Sequence, residues 1–147
     1  MKLVSNDFKN KERIPAIHTC DGKNISPHLS WSDAPEGAKS FAISCTDPDS
    51  VGGEFIHWLI HDIPANINEI AQGGSIPKGA KEAPNDFGKT SYGGPCPPSG
   101  THRYIFTIYA LKKDRLEGIT KRSFKEIVKS HSIGKAELVG LYSRKQI

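Results

Sequence analysis

Short apolar runs separated by Gly, Pro, Asn and Asp dominate the first two thirds of the chain, where helical periodicity is almost absent. Residues 40–46 alternate between apolar and polar positions, which predicts a half-buried strand. Residues 55–61 are apolar on both faces, as in a central strand of a sandwich. Residues 103–111 are rich in aromatic and β-branched side chains and predict a third strand. We therefore predict a mainly β protein.

One helix is predicted near the C-terminal end. Ser123 begins a capping-box pattern, with Glu126 three positions later, and an apolar stripe follows until Gly134. Residues 135–145 fit either a final strand or a second helix, and we favour a strand. The long stretch 62–101 is rich in Gly and Pro, and such long loops are more often functional than idle.

The length of 147 residues predicts a single domain over 1–147. A hydrophobic share of 36%, a charged share of 24% and a mean hydropathy of −0.47 exclude both disordered and integral membrane classes. No apolar run reaches roughly 18 residues and no signal segment begins the chain, so a cytoplasmic protein is expected. The net charge of +4 favours anionic partners. We expect no nucleic-acid binding, because the basic pairs at 112–113 and 121–122 are typical of a solvated face.

Cys20, Cys45 and Cys96 form an odd set with no C-x-x-C spacing. That pattern fits neither a disulfide framework nor a zinc site, so reduced thiols are expected. A bridge from Cys96 to either Cys20 or Cys45 is the alternative if the source is a hyperthermophile.

His57 and His61 have the spacing of a zincin metalloprotease, but that motif needs a helix and a Glu after the first His. Here Trp58 holds that position, and a strand would place the two histidines about 13 Å apart at ~3.3 Å per residue. No Gly-x-Ser-x-Gly nucleophile motif occurs either. We therefore predict no catalytic residue, no metal and no cofactor.

The loop 93–101 is rich in Gly and Pro and leads directly into a strand. His102 and Tyr104 share one face of that strand, and glycine amides at 93 and 94 could approach a ligand closely. Asp47, at the end of another strand, could orient a histidine or receive an ammonium group. Together these groups suit a small anion such as phosphate. The structural alternative is an ordinary turn, with its polar residues satisfied in the core.

Five motifs stand out: the segment 20–31, Asp-Pro-Asp at 47–49, Ile-His-Trp at 56–58, Asn-Asp-Phe-Gly at 85–88, and Gly-Pro-x-Pro-Pro-x-Gly-x-His-Arg-Tyr at 94–104. Together they resemble the phosphatidylethanolamine-binding protein family, and most closely its short prokaryotic branch, often labelled Raf-kinase-inhibitor-like. The likeness extends over roughly residues 17–143, and the block 94–104 is its most specific part.

The resemblance implies a fold of two antiparallel sheets, sandwich-like, with a C-terminal helix. It also implies a pocket that accepts phosphate, acetate, cacodylate or phosphoethanolamine groups, and a cis peptide at Gly53–Glu54. The implied pocket residues are Asp47, His57, Gly94, Pro95, His102 and Tyr104. The chain departs from the family pattern after Asp49, where Ser50 and Val51 replace the usual Ala-Pro.

The leading hypothesis is a non-enzymatic binding protein for a phosphate-, phosphoethanolamine- or carboxylate-type ligand. One alternative is a protein-interaction regulator, such as a kinase or protease inhibitor, because eukaryotic relatives act in this way. Another is a weak hydrolase that uses Asp47, His57 and His102 as acid–base groups. A homodimer remains an open alternative, since short relatives often pair.

Overall fold

The structure is a computed structural model that describes residues 1–144. In that part of the chain, regular structure consists of nine strands, one α-helix and a short 3-10 helix (Ala16–His18). In chain order the elements are β1 (Lys2–Val4), β2 (Glu12–Arg13), β3 (Leu29–Ser32), β4 (Ser40–Asp47), β5 (Phe55–Pro64), β6 (Glu69–Ile70), β7 (Lys81–Ala83), β8 (His102–Leu111), α1 (Phe124–His131) and β9 (Ser132–Tyr142).

The strands form two sheets, which confirms the prediction of a mainly β fold. The large sheet has the order β2-β9-β8-β4-β5-β7, and the small sheet has the order β1-β3-β6. All pairs are antiparallel except β2 with β9, which run parallel at the edge of the large sheet. This edge pair is held on both sides of β2, because Lys11 and Ile14 donate backbone hydrogen bonds to Val139 and Leu141.

The three strands predicted from the sequence lie inside the large sheet. β4 pairs with β8 on one side and β5 on the other, so Ser44 lies opposite both Thr107 and Leu59. The prediction that β4 is half-buried is wrong, because residues 40–45 are all buried. Its second face is covered by a smaller apolar cluster that includes Phe124 and Val128 of α1.

The main core lies between the two sheets. Phe106 of β8 is fully buried there and packs against Phe8, with ring centroids 5.8 Å apart. Trp31 of the small sheet packs edge-on against Phe41 of β4, at 5.7 Å. These contacts pack the central strands of the large sheet against the N-terminal segment and the small sheet.

The C-terminal helix forms and begins after Ser123 as predicted, but the predicted capping hydrogen bond is absent and the helix ends earlier than predicted. The Ser123 hydroxyl donates to Gly118 and accepts the backbone N–H of Thr120, so it does not cap α1. The chain enters β9 directly at Ser132, before Gly134. The strand favoured for residues 135–145 is confirmed up to Tyr142, within β9 (Ser132–Tyr142). Ser143 and Arg144 lie beyond the strand, and Lys145 lies outside the described residues.

Two covalent expectations are wrong. Cys20 and Cys96 form a disulfide, with Cα atoms 5.4 Å apart, and Cys45 alone is a free, buried thiol. The two half-cystines are 76 residues apart in the chain, so only tertiary folding brings them together. The peptide bonds of residues 1–144 are all trans, including Gly53–Glu54, and Gly53 makes the turn before β5 with a φ of 101°.

We predict that Phe106→Ala destabilises the protein strongly, because it empties the centre of the main core. The expected loss in free energy of unfolding is about 3–5 kcal/mol, measured by urea denaturation with the disulfide oxidised. Val51, which is 92% exposed, is the control, and Val51→Ala should change stability by less than about 0.5 kcal/mol. Equal effects of the two substitutions would contradict this description of the core.

Candidate functional site: a histidine-lined cavity

A cavity of about 190 Å³ lies at one end of the large sheet. β4 is antiparallel to both of its neighbours, so its last residue, Asp47, lies beside the first residues of β5 and β8. Side chains from three strands therefore meet at this end. The lining residues are Asp47, Ser50, Phe55, His57, Phe87, Cys96, Pro97, Pro98, His102 and Tyr104.

Asp47 and His102 form a buried pair in the cavity wall. His102 Nδ1 lies 2.7 Å from Asp47 Oδ2, and the two residues are only 8% and 4% exposed. The other carboxylate oxygen, Oδ1, accepts the backbone N–H of Asp49 at 2.8 Å. Because both oxygens are engaged, the carboxylate is held in one orientation and directs the Nδ1 proton of His102 toward itself. Nε2 is the ring nitrogen that remains for another partner.

His57 is oriented by the loop that faces it. Its Nδ1 lies 2.6 Å from the carbonyl oxygen of Gly93. A carbonyl only accepts, so Nδ1 carries the proton and Nε2 of the neutral ring is an acceptor. Burial lowers the pKa of His57 from its ordinary value, against smaller opposing effects of the Gly93 carbonyl and the charge of Asp47. The neutral ring therefore brings an acceptor, and no positive charge, to the cavity.

Aromatic rings pack around His57 on several sides. The ring centroids of Phe55, Tyr104 and Phe87 lie 5.0, 5.2 and 5.3 Å from that of His57. Burial and then the charge of Asp47 raise the pKa of Tyr104 above its ordinary value. The phenol therefore keeps its proton and can act as a hydrogen-bond donor.

The structure brings four of the six predicted site residues to the cavity: Asp47, His57, His102 and Tyr104. Gly94 and Pro95 are not among the lining residues, and what they do for a ligand stays a prediction. The N–H of Gly94 donates to Asn24 Oδ1 at 2.8 Å, and the N–H of Gly93 donates to the His57 carbonyl at 3.1 Å. These amides therefore position the loop and are not directed at the cavity.

Gly94 is required at its position by a close approach of two backbones. A Cβ there would overlap the carbonyl oxygen of His18 and the side-chain oxygen of Asn24. The absence of a side chain thus lets the loop before Cys96 lie against residues 18–24.

Sequence reasoning missed the apolar part of the wall, above all Phe55 and Phe87. Phe87 belongs to a turn that Asn85 organises, because Asn85 Oδ1 accepts the N–H groups of Phe87 and Lys89. The Asn85 amide donates to the carbonyls of His57 and Ser91. An Asn followed by Asp-Phe-Gly is a recognisable turn signal. The long-range hydrogen bond from Asn85 to His57, 28 residues away, cannot be recognised in the sequence.

The second aspartate of the Asp-Pro-Asp motif lies outside the cavity. Asp49 accepts from Arg103 Nε at 3.0 Å, from Nη2 at 2.8 Å and from the backbone N–H of Arg103 at 2.9 Å. These bonds with Arg103 lower the pKa of Asp49 to about 2. The pair ties the end of β4 to the start of β8, and so supports the position of Asp47 beside His102.

Charge in the cavity comes from few groups. Among the lining residues, Asp47 is the one carboxylate, and the histidines are the only side chains that can become positive. Within residues 1–144, no three His, Cys, Asp or Glu side chains are grouped so that they could hold a metal ion. The described chain also contains no helix with the length and apolar character needed to cross a membrane.

Comparison with known proteins assigns the chain to a family. A family model described as phosphatidylethanolamine-binding protein matches residues 4–143. The chain belongs to the phosphatidylethanolamine-binding protein family. Crystal structures of family members have the same fold: Escherichia coli YbcL, described as a new member of the mammalian family, superposes with a TM-score of 0.92 at 34% identity, covering 98% of each chain.

Other relatives of this family member span nearly the whole chain. A homologue from Chlamydia trachomatis superposes with a TM-score of 0.90 at 36% identity, covering 98% of this chain and 97% of the homologue. A protein of Aquifex aeolicus is 42% identical over 98% of this chain and 89% of its own length. YbhB of E. coli K12 is 41% identical over 97% of this chain and 100% of YbhB. The names of the last two proteins state no activity.

We predict that the Asp49 carboxyl of this family member titrates with a midpoint of about 2, because Arg103 favours its charged form. The folded-state pKa is depressed, so the stabilisation is present above the ordinary value of 3.8 and is lost as pH falls toward 2. Carbon-detected NMR of the carboxyl group measures the midpoint. In Arg103→Gln it should return toward the ordinary value, and an unchanged midpoint would show that Arg103 is not the cause.

Proposed function

We propose that the protein binds a small anion of the phosphate, phosphoethanolamine or carboxylate type in this cavity, without reacting with it. The observation that carries the proposal is the buried Asp47–His102 pair beside His57 on one cavity wall. A volume of about 190 Å³ equals the space of roughly six water molecules at ~30 Å³ each. Such a space suits a small polar group.

The charges of the wall determine when an anion is favoured. Asp47 repels an anion unless a neighbouring imidazole is protonated. Protonated His102 would keep one N–H on Asp47 and present the other to the ligand. His57 donates its one neutral proton to Gly93, so it too needs a second proton before it can donate to an anion. Anion binding should therefore be accompanied by proton uptake.

A partly exposed aromatic side chain in the cavity lining supports a phosphoethanolamine ligand in particular. Phe87 lines the cavity and is 44% exposed. An ammonium group that follows a phosphate outward would meet this ring, and a cation over an aromatic face is attracted by about 0.5–1 kcal/mol at exposed sites. The family description, phosphatidylethanolamine-binding protein, agrees with this ligand class.

We predict that affinity for an anion increases as pH falls from about 8 to about 6, because a histidine of the wall must take up a proton before it donates to the anion. Acetate is the sharpest probe, because its own charge is the same at both test pH values. Calorimetric titration should give an affinity about three- to tenfold higher near pH 6 than near pH 8. Parallel titrations with phosphate and O-phosphorylethanolamine test the ligand preference. Equal affinity at the two pH values would contradict proton uptake.

The chain offers a matched control for the histidine. His61 Nδ1 lies 2.8 Å from Asp62 Oδ1, and both residues are buried, as His102 and Asp47 are. His61 is not a lining residue of the cavity. His102→Ala should therefore abolish acetate binding near pH 6, while His61→Ala removes a similar pair and should leave binding unchanged. Acetate binding that is retained in His102→Ala would contradict the proposal.

A hydrolase is the second candidate, and the 2.7 Å bond between His102 and Asp47 is the observation that favours it. A carboxylate that orients an imidazole is the arrangement of a general base, and Ser50 lines the same cavity. A screen of phosphomonoesters and carboxylic esters tests this candidate. If the pair is catalytic, Asp47→Asn should lower the rate by about a hundredfold or more. Absence of turnover in the unmodified protein would exclude these substrate classes.

A further inference from the structure

A disulfide forms part of the cavity wall. Cys96 lines the cavity and is bonded to Cys20, which lies in the loop after the 3-10 helix. Both half-cystines are exposed to solvent. The disulfide therefore contacts the cavity and is also accessible to reagents in the solvent.

The disulfide anchors a segment with few other attachments. We call residues 97–101, which lie between Cys96 and β8, the proline-rich turn. The chain just before Cys96 is held by the hydrogen bond from Cys20 N–H to the Pro95 carbonyl, at 3.1 Å. The chain after the turn is held by the pairing of His102 with Tyr142. Of the hydrogen bonds found within residues 1–144, none involves the turn itself.

The proline-rich turn also faces the candidate ligand site. Pro97 is buried and Pro98 is exposed, and both line the cavity together with His102. The turn therefore stays in place through the packing of Pro97, its connection to β8, and the bond from Cys96 to Cys20. Opening the disulfide removes the only covalent cross-link that the described chain has at this wall.

We propose that Cys20–Cys96 is a thiol–disulfide exchange site whose redox state controls the affinity of the cavity for anions. The inference rests on the proposed function. The co-reactant is a dithiol. Its thiolate attacks one sulfur of the bridge, the S–S bond breaks, and a mixed disulfide forms. The second thiol of the reductant then displaces the protein sulfur and leaves as a cyclic disulfide, while Cys20 and Cys96 take up two electrons and two protons.

The exposure of the bridge makes this exchange accessible. Exposed disulfides are the labile and regulatory ones, whereas inaccessible ones resist reduction. The third cysteine cannot take part, because Cys45 is completely buried in the core. Burial and the charge of Asp47 also raise the pKa of the Cys45 thiol, which keeps it protonated and unreactive. Exchange at this wall is thus confined to Cys20 and Cys96.

Opening the bridge should weaken binding because the proline-rich turn becomes less ordered, and not because contacts with the ligand are lost. With the disulfide closed, the wall made by Pro97 and Pro98 is already positioned for a ligand. With it open, the turn samples more conformations, and a ligand must restrict them again on binding. We expect affinity to fall by about fivefold or more. By reciprocity, a bound anion should make the bridge harder to reduce by the same factor.

Calorimetry with inorganic phosphate near pH 6 tests the proposal on oxidised protein and on protein reduced with dithiothreitol. Cys20→Ser opens the bridge without changing a lining residue, so it should bind like the reduced form and should not respond to dithiothreitol. Cys45→Ala keeps the bridge and should respond as the unmodified protein does. Far-UV circular dichroism establishes that each form is folded.

The outcomes separate this inference from the proposed function. Equal affinity of the oxidised and reduced forms would overturn the inference alone, and so would unfolding on reduction, because the bridge would then be purely structural. If neither form binds phosphate, acetate or O-phosphorylethanolamine, the proposed function fails, and the control of anion affinity that rests on it fails with it. Where the oxidised form binds, NMR supplies an independent check: faster amide exchange at Gly100 and a shifted His102 ring signal on reduction would support the loss of order in the turn, and unchanged signals would overturn it.

Discussion

The antiparallel pairing of β4 with both β5 and β8 is the constraint on which the candidate site depends. Because β4 runs opposite to both neighbours, Asp47 at its end lies near the beginnings of β5 and β8, where His57 and His102 are located. A shift of one residue in either register would turn a histidine to the opposite face of the sheet. The same strands carry core residues such as Phe106 of β8 and Ile60 of β5, so the strands that bring the site residues together are also the strands of the main core.

The two aspartates of the Asp-Pro-Asp motif have different roles in this arrangement of strands. Asp47 faces inward and orients His102, whereas Asp49 faces outward and accepts three hydrogen bonds from Arg103. The outer pair is exposed, and its value lies in geometry more than in energy, since surface ion pairs contribute little. The inner pair is buried, where a charge is costly without a partner. This cost is why a ligand, a proton and the Asp47–His102 pair should act as a coupled system.

Much of the fold and part of the site could be predicted from the sequence. The runs that became β4, β5 and β8 carry strong local signals, and the strand after α1 was also favoured correctly. The capping box at Ser123 failed because the hydroxyl finds partners in the preceding turn. The glycine amides at 93 and 94 have internal acceptors, Asn24 and the His57 carbonyl. Such competition between partners depends on chain segments that are distant in sequence, so a local pattern does not reveal it.

The sequence by itself determined the β character of the chain, the family motifs and the identity of the polar groups at strand ends, because these depend on residue type and short-range periodicity. Only the tertiary structure decided that Cys96 bonds to Cys20 while Cys45 stays buried, and that Phe55 and Phe87 enclose His57. These facts depend on distances between segments tens of residues apart, and such distances are set by how two sheets pack around one core.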